Sequence, residues 1–218
     1  MRFLTYNIHH AEGIDGRVRI RRIAETVAAL EPDVAGLQEV RRGALLGDQP
    51  AALRKRLRLD GPFAPTIRVR RYEFGNMLLT RGRVLSAEDI VLPSPDAVSR
   101  GCVLARVELD GARFAVAVAH LGVRPADLPV HLAILERRLP HDEPLVLLGD
   151  FNATAQALEP LSGLLTFPPD APHTFPAGRP AVGIDLVGYS RHWRLASVTA
   201  AASDASDHLP VLAELELI

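Results

Sequence analysis

A chain of 218 residues that is 48% apolar and 23% charged reads as one soluble α/β domain over residues 1–218, not as a disordered or fibrous protein. The longest apolar runs, such as Phe114 to Ala119, are far too short to span a bilayer, so no membrane insertion is expected. Cys102 is the single cysteine, which excludes an internal disulfide and a zinc–thiolate site and suits a reducing, cytoplasmic compartment. Met1 leads directly into the strand-like RFLTYNI, with no signal-peptide pattern before it. No linker, repeat or low-complexity tract interrupts the chain, and a monomer is the expected state.

Taken in order, strand-like segments fall at Arg2 to Ile8, Val34 to Gln38, Phe63 to Val69, Asn76 to Thr80, Cys102 to Leu109, Arg113 to His120, Leu145 to Gly149, Ile184 to Val187 and Val211 to Leu217. Several are short and almost wholly apolar, as strands covered on both faces are. Ile20, Ile23, Ala24, Val27 and Leu30 recur at helical spacing until Pro32 closes the helix. Ala51 to Leu59 and Leu128 to Leu139 read as two more helices, and the proline-rich stretch from Pro160 to Pro180 reads as loop. Strands outnumber helices and alternate with them irregularly. That pattern predicts mixed sheets packed face to face with helices outside, not a regular doubly wound sheet.

Charge is split along the chain. Residues 1–83 carry 16 Arg and Lys against 9 acids, and residues 84–218 carry 9 against 17. Basic clusters at Arg17 to Arg22, Arg54 to Arg58 and Arg68 to Arg71 could steer a polyanion, although arginines on exposed faces are more often simply solvated.

The strand ends carry the chemistry. PLVLLGDFNATAQ runs apolar to Gly149 and then presents Asp150 and Asn152 on either side of Phe151. The first strand ends on Asn7, with His9 two residues on and expected on the same face. DVAGLQEV is apolar until Gln38 and Glu39, FAVAVAH runs into His120, VGIDLVGY holds Asp185 in an apolar frame, and Ser206, Asp207 and His208 precede LPVLAEL. Singly, each has a plain structural reading as a turn residue or a satisfied buried polar group. Together they would gather carboxylates, amides and imidazoles at one edge. Buried carboxylates repel one another, and a hard divalent cation with oxygen ligands is the economical compensator. Ser206, Asp207 and His208 do not make a serine-hydrolase triad, because adjacent strand residues alternate faces and no G-x-S-x-G elbow exists.

These residues resemble the endonuclease/exonuclease/phosphatase superfamily of metal-dependent phosphoesterases. The matching pieces are TYN at 5–7, LQEV at 37–40, GNMLLTR at 75–81, AHLG at 119–122, LLGDFNA at 147–153, GIDLV at 183–187 and SDHLPV at 206–211. They occur in the family's order over essentially the whole chain, and the short form is most similar to small bacterial members. The resemblance implies a four-layer α/β sandwich of two mixed sheets flanked by helices, like deoxyribonuclease I, with the site where the loops meet at one edge. It implies Glu39 as the principal Mg²⁺ or Mn²⁺ ligand, with Asn7 and Asp207 completing the metal sphere. Asp150 would ready the attacking water, Asn152 would hold a phosphate oxygen, and His208, backed by Asp185, would offset developing charge. His120 would approach another phosphate oxygen and His9 would be a further substrate contact, whereas Asn76 reads first as a turn residue and Arg100 first as a solvated arginine, with substrate contact the second reading of each. This chain departs from the pattern with Leu186 and Val187 after Asp185, where an aromatic is common, and with Ala119 before His120, where Thr is usual.

The implied activity is hydrolysis of a phosphodiester in a nucleotide, short nucleic acid or small molecule, with a phosphomonoester left open beside it. The alternatives are an abasic-site DNA repair nuclease and a non-catalytic binding module on the same scaffold. Short loops and few aromatics weigh against the first, and the intact set of site residues weighs against the second.

Overall fold

A computed structural model of the chain describes residues 1–43, 47–95 and 98–218. Twelve strands are named among them, in two sheets. The first sheet holds β1 (Arg2–Asn7), β2 (Val34–Gly43), the two-residue β3 (Gly47–Asp48), β4 (Phe63–Val69), β5 (Tyr72–Thr80), β11 (Trp193–Ala200) and β12 (Val211–Leu217), in the order β11-β12-β1-β2-β5-β4, with β3 on β2. The second holds β6 (Arg83–Leu92), β7 (Arg100–Leu109), β8 (Ala112–His120), β9 (Leu145–Asp150) and β10 (Asp185–Tyr189), in the order β10-β9-β8-β7-β6. Each sheet is mixed: β1 and β2 run parallel in one, β8 and β9 in the other, and the remaining neighbours are antiparallel. Helices α1 (Ile20–Ala29) and α2 (Gln49–Leu57) cover the first sheet, and α3 (Asp127–Arg138) with a 3₁₀ segment at Ala155–Leu161 covers the second. The result is the expected four-layer sandwich. No helix among the described residues is long and apolar enough to cross a membrane.

Period-two alternation explains the layers. In β1, Phe3 packs between the sheets while Leu4 and Tyr6 pack under the helices. In β9, Val146 and Leu148 face the other sheet while Leu145 and Leu147 face α3. Phe3, Phe114 and Trp193 meet edge to face in the inter-sheet core, with ring centroids 5.4–5.8 Å apart. The sheets approach closely at Gly36, where a Cβ would lie 2.9 Å from Val118 Cγ2 and 3.0 Å from Leu148 Cβ. Gly36→Ala is therefore expected to lower unfolding free energy by about 1–3 kcal/mol through overpacking, measurable by denaturant titration.

Several boundaries differ from the sequence expectation. β6 and β11 are not among the strands expected from sequence, β2 runs on to Gly43, and α2 begins earlier, at Gln49, where the Asp48 side chain accepts from the Ala51 amide. β1 stops at Asn7, and Ser206 to His208 lie in the loop before β12 rather than at its start. The stretch beyond Pro160 contains buried residues, including Thr174, although it forms no strand longer than a bridge.

Candidate active site

The inter-sheet layer is apolar along most of its length and turns polar at one end. Following the alternation, Asn7 shares a face with Phe3, His120 with Val116 and Val118, Asp150 with Val146 and Leu148, and Asp185 with Val187, so all four enter the gap between the sheets. Register aligns them: Asn7 pairs with Gln38, and Asp150 lies between His120 and Asp185 on neighbouring strands. All four are buried. Asn7 Nδ2 donates to Asp150 Oδ2 at 2.8 Å, a hydrogen bond that joins the two sheets directly.

Glu39 arrives by a different device. β2 carries a bulge between Leu37 and Val40, so that Gln38 and Glu39 together oppose Asn76 on β5. Gln38 keeps the inward face and donates to Thr5 Oγ1 at 3.1 Å, whereas Val40 packs under the helices. The phase shift leaves Glu39, at φ 59°, half-buried at the edge instead of buried in a layer.

His9 and Asn152 were expected to follow strand periodicity, and here the structure corrects the argument. His9 belongs to a 3₁₀ turn, His9–Ala11, at φ 41°, and its amide donates to Asn7 Oδ1 at 3.0 Å. Asn152 lies beyond β9 at φ 50°, held by its backbone N–H donating to Asp150 Oδ1 at 3.0 Å. Both side chains are aimed by turns. The Asn152 amide donates to Leu121 O at 3.0 Å and lies 3.4 Å from His120 Nε2, which is itself 3.4 Å from Asp150 Oδ2.

Opposite them, His208 Nδ1 donates to Asp185 Oδ2 at 2.8 Å, which fixes the ring's orientation, and His208 Nε2 lies 3.9 Å from Asp150 Oδ2. Thr174 Oγ1 donates to the same Asp185 oxygen at 2.5 Å, while Asp185 Oδ1 is buried with no partner among the described residues. The Phe175 ring lies 4.7 Å from the His208 ring. Ser206 Oγ donates to Asn7 O at 2.8 Å and accepts from His208 N, tying this loop to β1. Asp207 Oδ1 lies 3.5 Å from His9 Nδ1.

The two imidazoles are driven in opposite directions. Burial lowers the His120 pKa to about 4, with Arg100 and His208 adding to the effect against Asp150. Burial acts the same way on His208, but the hydrogen bond and charge of Asp185, with Asp150 and Asp207, outweigh it and push its pKa up to about 9. At neutral pH His208 is thus a cation and His120 is neutral. Burial raises the Asp150 carboxyl above its ordinary range despite His120, with Asp185 adding to the rise and His208 and Asn7 opposing it.

Asn76 and Arg100 sit beside this group. The Asn76 amide donates to Gly101 O at 2.6 Å and lies 3.4 Å from Val118 O, tying β5 to the second sheet between the Glu39 bulge and His120. Arg100, half-buried at the start of β7, is close enough for its charge to act on His120. Sequence reasoning missed Thr174, Phe175, His10 and Gln49. His10 and His9 lie with Glu39 as one group whose candidate ligand atoms are all within 4.8 Å of one another, and Asp150, Asp185 and His208 form a second. Gln49 Nε2 donates to His10 O at 2.6 Å and pins that turn.

The pattern of the Endonuclease/Exonuclease/phosphatase family matches residues 4–208, a span that includes each of these side chains. The chain belongs to this family. Members are generally phosphoesterase hydrolases that use a divalent metal. The family's fold recurs over 100% of this chain and 71% of an endonuclease/exonuclease/phosphatase from Beutenbergia cavernae, at 25% identity and a TM-score of 0.88. A mannosyl-6-phosphatase of Bacteroides thetaiotaomicron is similar over 100% of both chains at 18% identity and a TM-score of 0.77. D. rerio TDP2, complexed with a single-strand DNA product, is similar over 99% of this chain and 98% of its own at 15% identity and 0.76. Among curated proteins none matches the sequence.

Proposed function

We propose that this family member is a divalent-metal-dependent phosphodiesterase, acting through residues 1–218 as one catalytic domain, which hydrolyses a nucleotide, short nucleic acid or small-molecule diester by in-line attack of water. The observation that supports this best is the convergence of Asn7, His120, Asp150, Asp185 and His208 from both sheets into one polar end of the core, next to Glu39. The donor set fits a cation. Glu39 is half-buried at the edge with His9 and His10, and Asp207 lies against His9. Glu39 would hold Mg²⁺ or Mn²⁺ with Asn7 and Asp207, and a bound divalent cation supplies Lewis-acid neutralisation of charge on the phosphoryl oxygens.

The chain's own residues carry the remaining work. Asp150, held on one oxygen by Asn7 and on the other by the Asn152 backbone, orients and deprotonates the nucleophilic water. His208, cationic at neutral pH, faces the same pocket and stabilises charge developing on phosphate, with Asp185 fixing the ring. Neutral His120 and the Asn152 amide contact phosphate oxygens, and His9, Asn76 and Arg100 border the bound ester. A phosphomonoester is the second reading, supported by the mannosyl-6-phosphatase likeness.

The test is a panel of a chromogenic diester, a chromogenic monoester, abasic duplex DNA, single-stranded DNA, RNA and a phospholipid, each with Mg²⁺, with Mn²⁺ and with chelator. The expected result is metal-dependent turnover of the diester that chelator abolishes. Full activity in chelator would overturn the mechanism, and binding without turnover across the panel would favour a non-catalytic module. Preference for abasic DNA would make the chain a repair nuclease and turn attention to the basic clusters of its N-terminal half.

A further inference from the structure

Three consecutive non-glycine residues, His9, His10 and Ala11, have positive φ, at 41°, 42° and 68°. Such a run persists only where its surroundings over-determine it. The surroundings here are explicit: Ala11 N donates to Ile8 O, Glu12 N to His9 O, Arg19 N to Ala11 O, and the buried Gln49 side chain to His10 O. What the turn achieves is the side-by-side placement of two imidazoles, ring centroids 4.5 Å apart, with a nitrogen of each within 4.8 Å of the other and of a Glu39 oxygen.

We propose that His9 and His10 are direct ligands of the cation that Glu39 holds, so that the centre is a mixed nitrogen–oxygen site selecting Mn²⁺, Co²⁺ or Zn²⁺ over Mg²⁺. This rests on the reading of the edge as a phosphoesterase metal centre and changes the class of metal it takes. Imidazole is a borderline donor that suits transition ions, whereas Mg²⁺ prefers carboxylate, carbonyl and water oxygens. Each ring also has the partner that ligating histidines usually have. Glu12 Oε2 lies 3.2 Å from His10 Nε2, and Asp207 Oδ1 lies 3.5 Å from His9 Nδ1. A carboxylate at one ring nitrogen orients the imidazole and raises the basicity of the other. On this assignment Asp207 acts on the metal through His9 instead of as a direct ligand, and His9 meets the cation instead of the ester. Both rings and Glu39 are partly exposed, so a cation can enter.

The test uses the full chain and metal alone. Calorimetric titration with Co²⁺ and with Mg²⁺ is compared for wild type, His9→Ala and His10→Ala. Outer partners of ligating histidines typically matter by about 10–100-fold in affinity, so loss of a ligand itself should weaken Co²⁺ binding by about tenfold or more, with Mg²⁺ binding nearly unchanged. Pulsed electron paramagnetic resonance of Mn²⁺-loaded wild type should show coupling to imidazole nitrogen, a readout that does not depend on any variant folding. Absence of that coupling, or Co²⁺ affinity indifferent to both substitutions, overturns the assignment even if phosphoesters are cleaved. Nitrogen coupling in a chain that cleaves no ester supports it while removing the hydrolase reading.

Discussion

Asp150→Asn is expected to lower kcat for the diester by about 10²–10⁴-fold, the range set by a positioned general base, with little change in KM. Asparagine preserves the side chain's shape but cannot accept the proton from water. Asp150 is 1% exposed and hydrogen-bonded through both carboxylate oxygens, so the substitution acts on two opposing stability terms. It removes a buried charge, which favours the folded chain. It also sets an amide against the Asn7 amide or costs the bond to Asn152 N, a loss of about 1 kcal/mol. The two effects oppose each other, and the unfolding midpoint in chelator should match or exceed that of the parent. Steady-state kinetics and thermal unfolding on the same preparations check both halves. Wild-type turnover in the folded variant would show that the water is activated elsewhere.

The layers of the sandwich were legible in sequence because short apolar runs such as FAVAVAH and PLVLL suit strands covered on both faces. β6 and β11 were not, and the reason is their place: both are edge strands, β6 with mainly exposed side chains and β11 with exposed and half-buried ones in partial alternation. Their sequences, RVLSAEDIVL and WRLASVTA, lack the continuous apolar signal of central strands. The inward placement of the candidate residues Asn7, His120, Asp150 and Asp185 was recoverable because strand alternation carries them into the inter-sheet gap. The same rule failed for His9 and Asn152, which turns at positive φ re-aim, and it does not describe Glu39, which a bulge releases. A turn at positive φ built from His, His and Ala has no glycine to announce it. Thr174 and Phe175 were hidden for a different reason: a proline-rich stretch reads as surface loop, and only tertiary packing shows that it backs Asp185 and His208.

His208→Ala is expected to damage the protein twice, and a cycle with Asp185 separates the two effects. The pair is 7% and 0% exposed, and Asp185 has one oxygen without a partner among the described residues. Removing the imidazole leaves a buried carboxylate whose remaining side-chain partner among the described residues is Thr174, which should lower stability by about 3–5 kcal/mol, as breaking a buried ion pair does. It also removes the cation facing the phosphate, for about 10²–10³ in kcat. Adding Asp185→Asn to His208→Ala eliminates the stranded charge while keeping an acceptor for Thr174. The double variant should therefore recover most of the lost stability and none of the lost activity. Denaturant unfolding in chelator, where cation binding cannot contribute, measures the first quantity, and metal-saturated turnover measures the second. If the double variant is no more stable than His208→Ala alone, the carboxylate and the imidazole are not coupled, and the electrostatic role given to the dyad fails with it.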